Sequence, residues 1–153
     1  MTASAAKEGR GKIMKKRITG TLLCMVVLAA LLAGCAERQR LSDQFDEEEV
    51  KKAAEEVIQD LNSGEIDALV EEKWSAIMKN ALDADGVKEQ IVPVIEELGE
   101  FESFDQEAVT GGRDADTEQE FAVAVIKAKY EKRKAQFTIS FDEDMKVAGF
   151  FIK

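Results

Sequence analysis

Few side chains in this 153-residue sequence could do covalent or acid–base chemistry. It has no histidine, so the usual general base near neutral pH and the commonest metal ligand are both missing. Its two cysteines, Cys24 and Cys35, lie in or beside an apolar run near the N-terminus, so the chain after Cys35 offers no thiol for a nucleophile, a zinc site or a disulfide. Carboxylates and a single tyrosine, Tyr130, are the candidates for acid–base catalysis.

Cys35 ends a segment that has the order of an export signal. A basic cluster at 15–17 precedes an apolar run from Leu22 to Ala33, and small residues follow. The twelve residues of that run are fewer than the roughly 20 that a helix needs to cross the bilayer core. We therefore predict a signal peptide over 1–34, and Met14 is an alternative translation start because the signal pattern begins there.

The quartet Leu32-Ala33-Gly34-Cys35 resembles the bacterial lipobox. This resemblance implies cleavage between Gly34 and Cys35 and attachment of diacylglycerol to the Cys35 thiol. Two or three acyl chains would hold a small domain at the membrane almost irreversibly, at roughly 0.8 kcal/mol for each buried CH₂. The alternative is a plain cysteine in a signal or helix, which is how we interpret Cys24. The predicted location is the extracytoplasmic side of a bacterial membrane, with the bilayer itself as partner of acylated Cys35.

The charge of the chain argues against nucleic acid as a partner. Residues 1–34 contain six of the 21 basic residues and one of the 31 acidic ones, so residues 35–153 have 15 bases against 30 acids. A formal net charge of −15 repels phosphate backbones, because nucleic-acid affinity comes from Lys and Arg that release condensed counterions.

The mature chain begins with helical periodicity. Residues 35–45 are polar without a period and are predicted to be a lipidated tether, followed by one domain over 46–153. Apolar residues at helical spacing predict helices over 46–62, 66–82 and 86–98. A break near Lys73 is expected in the second, Asp85 is predicted to cap the third, and Pro93 predicts a kink or a late start there.

After Gly99 the apolar period changes to that of strands. Strands are predicted over 101–110, 120–130, 133–142 and 145–152, joined by short polar connections that favour an antiparallel meander. The fold class is therefore α+β, with three N-terminal helices packed on one face of a bent four-stranded sheet.

The order of elements resembles the cone-shaped fold of the nuclear transport factor 2-like superfamily. The first helix AAEEVIQDLNSGEIDAL, the helix end LGEFESF and the closing ISFDEDMKVAGFFI are also similar to a bacterial domain catalogued as domain of unknown function 3887. This second resemblance covers about Val50 to Lys153. It implies the fold and an extracytoplasmic setting, often as a lipoprotein, and it carries over no catalytic residue.

Two kinds of polar site were weighed against structural roles. Ketosteroid-isomerase-like members of the superfamily use a pocket carboxylate with a tyrosine or protonated acid, so a carboxylate-dependent isomerase or hydrolase using Tyr130 is the alternative function. The segments 83–86 and 114–118 have parts of a calcium loop, but neither completes the twelve-residue ligand pattern. We expect turn and capping roles for their aspartates, and we predict no metal, no cofactor and no catalytic residue.

The aromatic residues and the last strands suggest how the domain would bind. Most of the eight Phe and the single Trp must form the core of so small a domain, yet both faces of 120–126 and 148–152 are apolar. A surplus apolar sheet face favours a partner surface or a homodimer contact, and related cone folds often pair through their sheets. The predicted function is a membrane-anchored, non-catalytic domain that binds a protein partner or a small apolar ligand, whose residues the sequence does not identify.

Overall fold

The structure is a computed structural model and describes residues 39–153. Within this range five helices precede four strands. The helices are α1 Glu47–Ser63, α2 Ile66–Lys73, α3 Ala76–Ala81, α4 Ala84–Gln90 and α5 Val92–Leu98. The strands are β1 Phe101–Arg113, β2 Glu120–Tyr130, β3 Lys134–Phe141 and β4 Val147–Ile152.

Helix α1 begins and ends where its sequence dictates. The Asp46 side chain accepts a hydrogen bond from the Glu49 backbone N–H, and three glutamates occupy the first turn, where they favour the helix dipole. Phe45 and Val50 are both buried and occupy the two positions of a hydrophobic staple. Gly64 ends the helix in the left-handed conformation, with φ of 79°.

The predicted second helix is divided by a tertiary contact. Trp74 is extended and forms a parallel bridge with Val147 of β4, and the Ser75 N–H donates to the Val147 carbonyl at 2.9 Å. Ser75 then caps α3, because its hydroxyl accepts from the Met78 N–H at 3.1 Å. The expected break near Lys73 is therefore present, and α2 and α3 stand on either side of it.

The predicted third helix is also divided, at Ile91. Pro93 has no N–H to donate to the preceding turn and its ring would clash there, so α4 ends at Gln90 and α5 begins at Val92. The predicted cap was wrong: Asp83, not Asp85, accepts from the Gly86 N–H at 2.8 Å, and Asp85 lies in the first turn of α4.

The four strands form one antiparallel sheet in the order β1-β2-β3-β4, which confirms the predicted α+β class and the meander. Strand β1 runs three residues beyond the predicted end at Thr110, because Gly111, Gly112 and Arg113 continue to pair with β2. The inner face of the sheet packs against the helices. It is built around Ala122, Ala124, Ile126, Ala128, Phe137 and Ile139, all fully buried.

Residues 39–45, assigned from the sequence to a tether, lie against the domain. The Gly111 N–H donates to the Gln39 carbonyl at 2.7 Å, and the Ser42 hydroxyl donates to the Glu120 carboxylate. Phe45 is only 8% exposed. Packing against the fold thus begins before residue 46, because a buried ring and two hydrogen bonds outweigh the polar composition of this segment.

The close approach of this segment to β1 gives a stability prediction. A Cβ at Gly111 would collide with the Arg40 carbonyl oxygen, whereas a Cβ at Gly112 would meet Val123 Cγ2 at 3.5 Å, an ordinary contact. We expect Gly111→Ala to lower the free energy of unfolding by about 1–3 kcal/mol because backbone must move. Urea denaturation measures this. Gly112→Ala is the matched control, and equal stability of the two variants would contradict the close approach.

Candidate functional site: the outer face of the sheet

The helices pack on one face of the sheet, and no described helix or strand packs on the opposite face. Register places the side chains of this outer face in rows across the strands, since residues directly paired share a face. The central rows are Thr110, Val123, Ser140 and Gly149, then Ala108, Val125, Thr138 and Phe151, with Gly112 and Phe121 beside them.

The outer face is more apolar than the solvent-facing side of an antiparallel sheet normally is. An antiparallel sheet with one solvated face normally alternates buried apolar with exposed polar residues. Strand β2 instead has Phe121, Val123 and Val125 at its outward positions, each half-buried. Phe151 of β4 is 60% exposed. The neighbouring side chains are small or β-branched, so they do not rise above this apolar patch. Exposed apolar patches of this kind are surfaces that partner proteins contact.

The two ends of the outer face differ in charge. At the end where β2 turns into β3, four lysines lie near two acids, Glu102 and Asp105; the lysines are Lys127, Lys129, Lys134 and Lys153. At the other end, the β1–β2 and β3–β4 turns carry seven acids among 114–120 and 142–144: Asp114, Asp116, Glu118, Glu120, Asp142, Glu143 and Asp144.

Ion pairs at the basic end shift the pKa values of their members. Lys129 Nζ lies 2.7 Å from Glu102, which raises the pKa of Lys129. Lys134 Nζ lies 2.8 Å from Asp105 and lowers the pKa of that carboxyl. Lys127 differs from both, because it donates to the uncharged Gln106 Oε1 at 2.9 Å.

The two acidic segments that resemble parts of a calcium loop, 83–86 and 114–118, have structural roles. Asp114 Oδ1 accepts from the N–H groups of Asp116 and Thr117 and from the Thr117 hydroxyl, at 2.8–2.9 Å. These bonds lower the pKa of Asp114, first through the Thr117 backbone. Asp83 is the α4 cap. Within residues 39–153 no group of three or more acidic, His or Cys side chains is placed to hold a metal ion.

Tyr130 lies in the core, 2% exposed, with its ring centroid 5.6 Å from that of Phe101 and 6.4 Å from that of Phe137. Burial raises the pKa of its hydroxyl, and the nearby Asn62 side chain offsets this only in part. We find no hydrogen bond of acceptable geometry to the hydroxyl oxygen in the described residues, and Asn62 Nδ2 donates to the Ile58 carbonyl at 2.8 Å. A buried neutral phenol between aromatic rings is structural.

A pair of carboxylates, Glu55 of α1 and Glu107 of β1, was missed from the sequence. Partial burial raises the pKa of Glu55, and the hydrogen bond and charge of Glu107 raise it further. Strict alternation from Phe104 places Glu107 on the opposite face, but the register shift between Phe104 and Gln106 returns it to the inner side. No sequence signal marks that bulge.

The carboxylate pair and Tyr130 do not converge on one site. Glu55 lies seven residues, or about 10 Å along the helix, from Asn62, the residue beside Tyr130. Glu107 of β1 pairs with Ile126 of β2. Ile126 lies four residues, or about 13 Å along that strand, from Tyr130. The geometry of the described residues thus separates the groups that the alternative enzyme would need together.

The predicted lipidation and cleavage residues, Cys35 and Gly34, lie outside the described residues. From Gln39 to the end of the chain, none of the helices has the length and apolar character to cross a membrane.

The carboxylate pair predicts a pH effect on stability. Because the pKa of Glu55 is raised above its ordinary 4.5 in the folded state, the charged pair destabilises the fold at neutral pH and the penalty fades as pH falls toward that value. We expect Glu107→Gln to be more stable than wild type at pH 7, with the difference shrinking towards pH 4.5. Urea unfolding across this range tests it against Glu143→Gln in an exposed turn, and a pH-independent difference would refute it.

The buried phenol hydroxyl has no partner in the described residues, so Tyr130→Phe removes an unsatisfied group. We expect the free energy of unfolding of Tyr130→Phe to equal that of wild type or to exceed it by up to about 1 kcal/mol. Tyr130→Ala should instead lose about 3–5 kcal/mol through cavity formation. Thermal unfolding of both variants measures this. A clear loss of stability in Tyr130→Phe would show that the hydroxyl has a partner.

Comparisons with known proteins support the fold and the family. A solved structure, the NMR structure of a protein from Ruminococcus gnavus ATCC 29149, is similar with a TM-score of 0.64 and 23% identity, over 74% of this chain and 96% of that chain. At this identity the likeness shows the fold alone. No curated protein matches the sequence. The family model described as protein of unknown function (DUF3887) matches residues 54–150, which include most of α1 and nearly all of the sheet, so this chain belongs to the DUF3887 family.

Proposed function

We propose that this protein is a bacterial lipoprotein, anchored by acylated Cys35 on the extracytoplasmic side of the membrane, whose non-catalytic domain binds a partner through the outer face of the sheet. The observation that carries the binding proposal is the apolar outer face, with Phe121, Val123 and Val125 along the centre of the sheet. The cone shape of the nuclear transport factor 2-like superfamily is part of the same proposal, supported by the order of helices and strands.

The open sheet face favours a protein partner over a small apolar ligand. Small-molecule sites are concave and surround most of the ligand. The central rows of the outer face instead present glycine, alanine, serine, threonine and valine across four strands, and in these rows only Phe151 has a large side chain. Such a surface gives a broad contact area but does not surround a ligand, so it suits contact with another folded protein.

The anchor is supported by the lipobox resemblance and by chain length. Four residue steps separate Cys35 from Gln39, whose carbonyl accepts a hydrogen bond from Gly111 of β1. An extended chain spans at most about 3.6 Å per residue, so this covalent connection reaches no more than about 14 Å. A lipid on Cys35 would therefore keep the domain at the membrane surface.

The anchor is tested by metabolic labelling with palmitate followed by membrane fractionation. We expect wild type and Cys24→Ala to be labelled and membrane-bound, whereas Cys35→Ala loses the label because the acceptor thiol is gone. Cys24→Ala is the matched control, since this cysteine lies within the apolar run. Label retained by Cys35→Ala, or loss of label in Cys24→Ala alone, would refute the assignment.

The raised pKa of Glu55 beside Glu107 is the single observation that favours the alternative, a carboxylate-dependent hydrolase or isomerase. Acyl transfer also needs donors aimed at the developing oxyanion, and Tyr130 lies elsewhere in the core. Release of p-nitrophenol from simple esters by wild type but not by Glu107→Gln would favour the hydrolase over the binding function.

A further inference from the structure

We propose that the open edge of β4 adds to the open edge of β4 in a second copy of this chain, with the two strands antiparallel, so that two four-stranded sheets join edge to edge. The proposal concerns the edge of the sheet and does not depend on the binding role proposed for its outer face. It is carried by the backbone groups of Phe150 and Ile152, which point away from β3.

The hydrogen bonds between β3 and β4 determine which backbone groups of β4 remain open. Gln136 and Lys153 exchange both N–H···O=C bonds, at 2.8 and 3.0 Å. In an antiparallel pair, bonded positions alternate with unbonded ones, so Phe151 is bonded to β3 whereas Phe150 and Ile152 are not. The N–H and C=O groups of Phe150 and Ile152 therefore point to the edge, where no described part of the chain hydrogen-bonds to them.

The two edges of the sheet are protected differently. An unpaired edge invites other strands, and proteins protect it with charges, bulges or a covering segment. β1 has all three, because Gln39 covers it at Gly111, its register shifts twice, and it has exposed acids. Those acids are Glu102, Asp105 and Glu107. The described chain covers β4 only at Val147, and residues 149–152 have no charge, proline or bulge.

The covered start of β4 limits the register of an added strand. Val147 already forms a parallel bridge with Trp74, so pairing must lie beyond it. In an antiparallel pair, backbone groups that point to the shared edge must also meet each other. Of the registers that satisfy both conditions, the one with the most hydrogen bonds pairs Phe150 with Ile152 of the second copy. Phe151 then lies on the two-fold axis, and the reverse pair follows by symmetry.

The side chains in this register are complementary on both faces of the joined sheet. On the outer face the two Phe151 rings, each 60% exposed in the single chain, meet across the axis. Their position is not hydrogen-bonded, so the paired Cα atoms lie about 4.5 Å apart, and aromatic pairs there stabilise strand pairing. On the inner face Phe150 meets Ile152, and both are only half-buried in the single chain. A second β4 thus supplies both the backbone groups and the apolar contacts.

The contact is small, and this decides how it is measured. Strand addition over residues 149–153 buries much less than the roughly 800 Å² that each partner contributes to a standard interface. The net negative charge of each copy also opposes association at long range. We therefore expect a weak dimer that a disulfide across the axis traps.

The axis is tested by disulfide formation in the full chain under a mild oxidant. Phe151→Cys should yield a dimer of twice the chain mass, because the expected Cα separation falls within the range of about 4.4–6.8 Å that a disulfide spans. Ile77→Cys is the matched control, since Ile77 is 74% exposed but lies on α3, near the Val147 end of β4 and away from the axis. It should give no dimer beyond that of wild type. Equal dimer from both variants, no dimer from F151C, or an adduct of F151C with a different protein would overturn the proposal.

A pair of substitutions tests the register. The next unbonded pair in it is Gly149 with Lys153 of the second copy, and a Cβ at Gly149 would meet Ser140 at 3.5 Å, an ordinary contact. The double variant Gly149→Cys/Lys153→Cys should therefore form the disulfide dimer. Each single variant should not, because identical positions lie about 13 Å apart along the strands. Dimer from either single variant, or none from the double variant, would overturn this register.

Proline tests the backbone hydrogen bonds. The Ile152 N–H points to the edge, so Ile152→Pro removes a donor to the second copy and none to β3. Added to F151C, it should lower the dimer yield severalfold, whereas Ile152→Val keeps the N–H and should not. Thermal unfolding checks that both variants fold. Unchanged yield with a folded Ile152→Pro would overturn the strand addition, and if that variant does not fold, the double cysteine variant decides the proposal.

Discussion

Close packing of α1 on the alanines of β2 is the contact on which the rest of the domain depends. Ala122, Ala124 and Ala128 are fully buried on the inner face, and the helix presents Val50, Ala54 and Val57 with no exposed surface. Small side chains along a central strand let a helix approach closely, and the large ring that β2 does contribute, Tyr130, lies at its last residue. β2 thereby commits one face to the helices and presents the other, with its valines and Phe121, outward.

Local sequence determined the elements well, and distant contacts determined their limits. The ends of α1 follow from Asp46 and Gly64, and the strands of the meander follow from alternation and polar turns. The division of the second predicted helix depends on Val147, more than 70 residues from Trp74, which no local period reveals. The extension of β1 through two glycines likewise depends on pairing with β2.

The candidate site was predictable in kind and not in detail. Apolar residues at both the odd and the even positions of 120–126 indicated that both faces of the sheet would be apolar there. The register shows which residues share the outer face. The division of charge between its ends needed the strand order, because the lysines and the acidic turns alternate along the chain. The place of Glu107 in the Glu55–Glu107 pair depended on the bulge after Phe104, because alternation counted from that ring gives the wrong face.

The attachment of residues 39–45 has a mechanical consequence. Among the contacts of the described residues, a pull on the N-terminal side of the chain reaches the Gln39–Gly111 hydrogen bond, then the Ser42–Glu120 hydrogen bond, and then the buried ring of Phe45. These contacts act in series ahead of the first turn of α1. A modest force would peel residues 39–45 from the sheet edge while the helix and the core still hold, so these residues protect the fold from a pull on its N-terminal side.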